Sequence, residues 1–356
     1  MLARRALLLL PLFVASGCAT LEDLWSSVGK NAATESVPLE DRPVQEPIDP
    51  NSFFLESADQ TVVGEPQVVF AREEDTLSDL ARTYGLGYDE IIAANPGVDQ
   101  WLPGEGTPIL LPTQFILPNV ETRGVVLNIA TKRLFYFPTP ADGEPQQVMT
   151  YPIGIGRVGW ETPLGATAVV SKAKDPSWWV PASVRREHAE MGDPLPAVVP
   201  PGPDNPLGHR VLKLDMPGYL IHGTNTPYGV GMRVSHGCVR LYPENIEILY
   251  TLVDVGENVL IINEPYQFGH RDGALYFEAH EPLEDDETAP EERLALLLDG
   301  QVDATGQPLN DHLRDHVREI AADPRGIPAV SYTHLRAHET SLPISYAVFC
   351  LKNWGG

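Results

Sequence analysis

The chain has 356 residues, 43% of them hydrophobic, and a formal net charge of −24. That length allows two or three domains, and no basic cluster offsets the acid, which excludes nucleic acid and electrostatic adhesion to anionic lipid as partners. Three cysteines without regular spacing exclude a disulfide framework.

Arg4-Arg5, the apolar stretch Ala6 to Val14 and the small residues up to Gly17 read as a secretory signal peptide over 1–17, too short for a stable membrane span. Ala15-Ser16-Gly17-Cys18 resembles a bacterial lipobox. The resemblance implies lipidation at Cys18, with Ala19 favouring the outer membrane; the alternative is plain cleavage after a small residue. Membrane contact would then run only through that lipid anchor, and the site of action would be the periplasm. Residues 18–65 are rich in Pro and acid, without sustained periodicity, and read as a linker.

A small module follows over 66–113. Gln67 to Phe70 predicts a strand, and Asp75-Thr76-Leu77 opens a helix carrying Leu77, Leu80, Ala81 and Tyr84, stopped by Gly85. Ile91, Ile92 and Ala94 mark a second helix, Leu102-Pro103-Gly104 a turn, and Ile109 to Pro112 a closing strand. This βααβ pattern, with Asp-Thr-Leu, Asn95-Pro96 and a final Ile-x-x-Pro, resembles a LysM domain. The resemblance implies binding to peptidoglycan glycan.

The next domain, 120–263, opens with the strands Val125 to Ile129 and Leu134 to Phe137, joined as a hairpin through Thr131-Lys132-Arg133. Met149 to Ile155, Ala166 to Ser171, Val211 to Leu214 and Asn258 to Ile262 add strands, and Gly154, Gly156 and Gly159 read as a β-turn region. A dinucleotide fingerprint is excluded there, because no helix follows. One helix is marked by Ile246, Leu249, Tyr250 and Val253, expected to brace the segment before it. Many strands and few helices predict a mainly β, mixed α+β fold, a β-sandwich or barrel. Asp175 to about Gly208 lacks a strand pattern; it is either a lid over a site or a corner plugged by Trp178 and Trp179.

The chemistry concentrates in Ser235-His236-Gly237-Cys238, followed by Arg240 and preceded thirteen residues earlier by His222-Gly223. A thiol needs a base to become a thiolate nucleophile. In an extended chain His236 would share a face with Cys238, while His222 ends a short strand whose following loop returns to the same place. Sequence leaves both histidines open as the base. Gly237 lets the backbone turn its N–H toward a developing oxyanion, beside that of Cys238. Cys238 could instead be a core residue. A zinc site from His222, His236 and Cys238 lacks any supporting ligand spacing.

His222-Gly223-Thr224-Asn225, a Gly-rich loop, then Ser-His-Gly-Cys-Val-Arg-Leu is similar to the signature of the L,D-transpeptidases with a YkuD-type catalytic domain. That resemblance implies Cys238 as the acylated nucleophile, His222 as base oriented by the Gly223 carbonyl, and His236 shaping the loop. It also implies Gly237 and Cys238 as oxyanion donors, and Arg240, Ser235, Thr224 and Asn225 on the substrate side. No cofactor or metal is implied. The implied substrate is the peptidoglycan stem peptide: Cys238 releases a terminal D-alanine, and an amine from another stem or an outer-membrane lipoprotein resolves the thioester. Water as acceptor would make a carboxypeptidase or endopeptidase; an inert thiol would leave a wall-binding lipoprotein, and turnover of carbapenems a β-lactamase-like hydrolase.

Residues 264–329 read as an acidic, partly helical extension in which Leu294, Leu296 to Leu298 and Val302 could dock, with Glu281 to Glu287 a solvated linker. From Val330 acidity nearly vanishes and Ser331 to Thr340 resembles translated sequencing adaptor, so 330–356 reads as a non-native tail.

Overall fold

The computed structural model describes residues 51–120, 124–303 and 306–331. The signal peptide, Cys18, most of the linker and nearly all of the tail therefore lie outside the described residues. In chain order the first half holds β1 (Ser52–Phe54), β2 (Val62–Gly64), β3 (Gln67–Phe70), α1 (Leu77–Thr83), α2 (Tyr88–Ala94), β4 (Pro108–Leu111), β5 (Gln114–Ile116), β6 (Gly124–Asn128), β7 (Arg133–Phe137), β8 (Gln147–Pro152) and β9 (Ile155–Gly156). The second half adds β10 (Gly165–Lys174), β11 (Trp178–Trp179), α3 (Ala182–Glu190), β12 (Val198–Val199), β13 (Arg210–Leu214), β14 (Leu220–His222), β15 (Arg233–Ser235), β16 (Val239–Arg240), α4 (Pro243–Leu252) and β17 (Asn258–Ile262). Last come β18 (Tyr266–Arg271), β19 (Ala274–Ala279), α5 (Pro290–Asp299), α6 (Asp311–Ala322) and β20 (Ala329–Ser331).

One nine-stranded sheet organises the fold, in the order β1-β8-β7-β6-β17-β10-β13-β14-β16. The chain leaves β8 and, at Gly154, bonds both ways with Arg240 at the far edge (2.8 and 2.9 Å). The sheet thus curls back toward itself, barrel-like, around a core of Val125, Leu127, Leu134, Ile221, Val239 and Leu241. The fold is mainly β, as the strand-rich pattern predicts.

Strands β6 and β7 are buried throughout, which is why Val125 to Leu127 and Leu134 to Phe137 read as continuous apolar runs rather than alternating ones. Val125 and Leu127 face the inner core, while Val126, Phe135 and Phe137 face outward into a second core. That second core is supplied by the β3-α1-α2-β4 module through Leu77, Ile91, Ile109 and Leu111. The βααβ unit therefore shares its core with the sheet instead of hanging from it. Arg133 and Glu90, 1% and 9% exposed, form a bidentate ion pair across this junction (2.7 and 3.0 Å). Backbones also meet there: the Tyr88 N–H donates to the Val230 carbonyl at 3.1 Å. A Cβ on Gly231 would lie 2.3 Å from the Tyr88 nitrogen, so that position admits only glycine.

Three expectations need correction. The linker does not extend to Gly64, because β1 pairs with the sheet edge at β8 and β2 pairs with β5. Their short apolar stretches show no periodicity long enough to stand out in a Pro-rich segment.

Beyond Glu264, the extension joins three strands to its two helices. It opens on a β18–β19 hairpin turned by Asp272-Gly273 (φ 52 and 73), joined by β20 and covered by α5 and α6 through Leu294, Leu298, Leu313 and Val317. Ala329 and Val330 pair with β19, so the boundary of the suspect tail lies beyond Val330.

The acidic run is not a solvated linker either. Asp285 pairs with Arg233 (2.7 Å) and Asp286 with Arg293 (2.7 Å).

Candidate active site

The site lies where β14 and β16 run parallel, Ile221 opposite Val239 and His222 opposite Arg240. Ile221 and Val239 point into the inner core. Strand alternation therefore sends His222, Arg240 and Cys238, just before β16, to the other face. The Leu241 N–H donates to the His222 carbonyl (2.9 Å), which fixes the register.

His222 is 3% exposed. Its Nδ1 lies 2.6 Å from the carbonyl of Gly223. A carbonyl only accepts, so Nδ1 carries the proton and Nε2 keeps a free lone pair. Burial, and next the charge of Arg240, push the imidazole down to about 3, against favourable contacts with the Gly223 and Leu207 carbonyls. Ile246 of α4 packs against Gly223, where a Cβ would come within 3.0 Å. The helix thus braces the histidine side of the site rather than the cysteine side.

Cys238 is a free, half-buried thiol within 3.6 Å of the Gly218 carbonyl. Burial pushes it above the usual thiol range, opposed by the Leu220 backbone and by Arg240. At rest, then, the pair is neutral thiol and neutral imidazole. The Arg240 guanidinium acts on both groups, and among the described residues its buried Nε has no hydrogen-bond partner.

The chain is not extended from His236 to Cys238. Gly237 has φ +97, and a Cβ there would stand 2.9 Å from the Tyr219 ring. This turn carries His236 away to a separate cluster: its Nε2 lies 2.7 Å from Glu187 and 3.1 Å from Arg157, with the Trp160 ring edge-on at 4.8 Å. His236 Nε2 is thus engaged with a carboxylate and a guanidinium, whereas the Nε2 of His222 keeps its lone pair.

Other site residues fall into distinct places. Ser235 donates to the Cys238 carbonyl (2.5 Å) and accepts from the Gly237 N–H (3.1 Å). It is buried and braces the turn instead of facing substrate, and it occupies the Gly237 N–H expected to face an oxyanion. Among the described residues the Cys238 N–H has no hydrogen-bond partner. Thr224 is likewise buried, capping the turn at Thr226 (2.9 Å), whereas Asn225 is exposed.

Sequence reasoning missed Thr162, whose hydroxyl donates to the Gly237 carbonyl (3.0 Å) and accepts from the Gly156 N–H (3.0 Å). It also missed Glu187 and Arg157. The Gly-rich segment read as a turn is in fact the support of the nucleophile turn, with the Arg157 N–H donating to the Ser235 carbonyl (3.1 Å). Trp179 is 76% exposed, so it does not plug the core. Among the described residues no group of three or more His, Cys, Asp or Glu is placed to hold a metal ion.

A thiol, a tautomer-fixed imidazole and a backbone donor at a glycine turn define a cysteine acyltransferase site. Residues 122–261 match the YkuD family, described as the L,D-transpeptidase catalytic domain. Probable L,D-transpeptidase YbiS of Escherichia coli (strain K12) is 42% identical over 264 residues, 72% of this chain and 85% of that protein. Probable L,D-transpeptidase ErfK/SrfK of Salmonella typhimurium is 41% identical over 236 residues, 65% of this chain and 75% of that protein. Probable L,D-transpeptidase YcfS of Escherichia coli (strain K12) is 40% identical over 243 residues, 67% and 75% of the two chains. The chain belongs to the L,D-transpeptidase family, with a YkuD catalytic domain.

Proposed function

We propose that Cys238 takes the acyl group of a peptidoglycan tetrapeptide stem and passes it to an amine. In the first half, the Cys238 thiol gives its proton to His222 Nε2 while sulfur attacks the carbonyl carbon of the third stem residue. The Cys238 N–H stabilises the oxyanion. Collapse breaks the bond to D-alanine, whose nitrogen takes the proton from His222, leaving a thioester. In the second half, the acceptor amine attacks the thioester, its proton passes to His222, and the departing thiolate is reprotonated. The observation that carries this reading is the parallel β14–β16 pair, which sets His222, Cys238 and Arg240 on one face with the imidazole proton fixed on Gly223.

Arg240, a half-buried cation whose Nε is unpaired and which has no carboxylate partner among the described residues, suits the terminal carboxylate of the stem. Exposed Asn225 is the substrate-side group that remains of the three polar residues expected there. The acceptor is a second stem or the amine of an outer-membrane lipoprotein. The βααβ module contributes glycan affinity, for which exposed Trp101 and Leu102, beside Tyr88, offer a stacking surface. Cys18 carries the lipid that fixes the body to the outer membrane, on its periplasmic side; Cys18→Ala releasing the protein into the soluble fraction is the outcome this expects.

Mass spectrometry of muropeptides tests the proposal, with the chain or its Cys238→Ala variant added to disaccharide tetrapeptide. Cross-linked or amine-exchanged products that vanish in the variant support transfer. Tripeptide alone would make the protein a carboxypeptidase, and no change would leave only the wall-binding role.

A further inference from the structure

Helix α3 is held to the body by little. Of its nine residues only Val184 is buried, and Arg185, Arg186, Ala189 and Glu190 face solvent. Among the described residues its side-chain attachment to the body runs through Glu187. One carboxylate oxygen meets Arg157 (2.5 Å) in the segment under the nucleophile turn, and the other meets His236 (2.7 Å), two residues before Cys238. Arg157 in turn holds the Ser235 carbonyl through its backbone N–H (3.1 Å). Both oxygens of one carboxylate are thus spent on the two supports of the same turn. The Trp160 ring lies edge-on to His236, and the His188 ring stands 6.0 Å away.

Nothing in the acyl-transfer scheme uses Glu187, which touches neither the thiol nor the base. Its geometry is that of a latch: it fastens a lightly seated helix, next to the exposed Trp179, onto the turn that presents the nucleophile. We propose that Glu187 is a positioning residue that keeps α3 closed over the acyl-enzyme and thereby sets how the thioester divides between amine and water. The inference rests on the thioester reading given above. In either branch the C–S bond breaks and the acceptor's proton passes through His222 to the departing sulfur. Amine attack forms a C–N bond, water attack a C–O bond, so both start from one intermediate and their ratio reports solvent access to it.

The test uses the full chain with disaccharide tetrapeptide and glycine as the amine, reading D-alanine release and the ratio of glycine-exchanged product to tripeptide. Glu187→Ala is expected to lower that ratio at least about fivefold, whatever change D-alanine release itself shows. Glu187→Gln, which can still accept from His236 but loses the charge for Arg157, should fall between. Glu190→Gln, the same charge removed from the solvent side of the helix, should match the parent. A ratio unchanged in Glu187→Ala, with or without loss of D-alanine release, would overturn the latch. Absence of D-alanine release from the parent chain itself would instead overturn the thioester reading.

Discussion

His222 donates its Nδ1 proton to the carbonyl of the next residue, Gly223, at 2.6 Å. That one contact decides which nitrogen keeps a free lone pair and is set by backbone, so no side-chain partner has to be present for the imidazole to be oriented.

Its consequence for pH is specific. Burial holds the imidazole at about 3 and holds the Cys238 thiol above its usual range, so the free enzyme keeps the proton on sulfur at neutral pH. Iodoacetamide alkylation of Cys238 should climb with pH beyond the ordinary thiol range. A rate plateau between pH 4 and 8, the mark of a thiolate–imidazolium pair, would contradict this. Stability carries the same sign: unfolded His222 binds a proton near 6.5 and folded His222 only near 3, so the fold loses stability as pH drops between these values. Urea midpoints at pH 7 and 5 should fall further for the parent than for His222→Gln.

The nucleophile turn tolerates no side chain at Gly237. With φ +97 and the Tyr219 ring 2.9 Å from a would-be Cβ, Gly237→Ala should cost about 1–3 kcal/mol and abolish acylation. Thr162→Val removes both hydrogen bonds that hold the turn from below, and D-alanine release should drop about tenfold with a small loss in Tm.

Glu90→Gln separates a structural junction from a tether. It leaves the buried Arg133 without its carboxylate, which costs about 3–5 kcal/mol. Since the βααβ module and the sheet share one core, thermal unfolding should move to lower temperature as one transition. Two separate transitions, with the catalytic one unmoved, would show a module that merely hangs from the domain.

Much of this was legible in the sequence because it lies in local pattern. The β6–β7 hairpin, the two helices around Leu77 and Ile91, and α4 all announce themselves through periodicity and turn residues. Cys238 and His222 were legible because a thiol, two histidines and glycines at that spacing have few other uses. What escaped depends on long-range geometry. Glu187 sits 49 positions before His236 and is one acidic residue among many in the chain. Ser235 reads as a substrate contact until the turn at Gly237 shows its hydroxyl bound within the loop. The hairpin at Asp272-Gly273 did leave a signal, an Asp-Gly turn with positive φ at both positions, hidden by the charged residues around it.

Arg240→Met tests the carboxylate contact. The KM for tetrapeptide should rise about tenfold, with a smaller change in kcat, as loss of a charge-assisted contact predicts. The alkylation profile of Cys238 should also move to higher pH, because Arg240 is one of the groups lowering that thiol. An unchanged KM would place the guanidinium in loop support alone.

The central claim is a covalent bond at Cys238, and intact-protein mass spectrometry during turnover reads it directly. With disaccharide tetrapeptide and no added amine, the parent chain should gain the mass of the stem less D-alanine. The adduct should map to Cys238, be absent from Cys238→Ala and form far more slowly in His222→Ala. An adduct that survives in Cys238→Ala, or D-alanine release by that variant at the parent rate, would contradict the account.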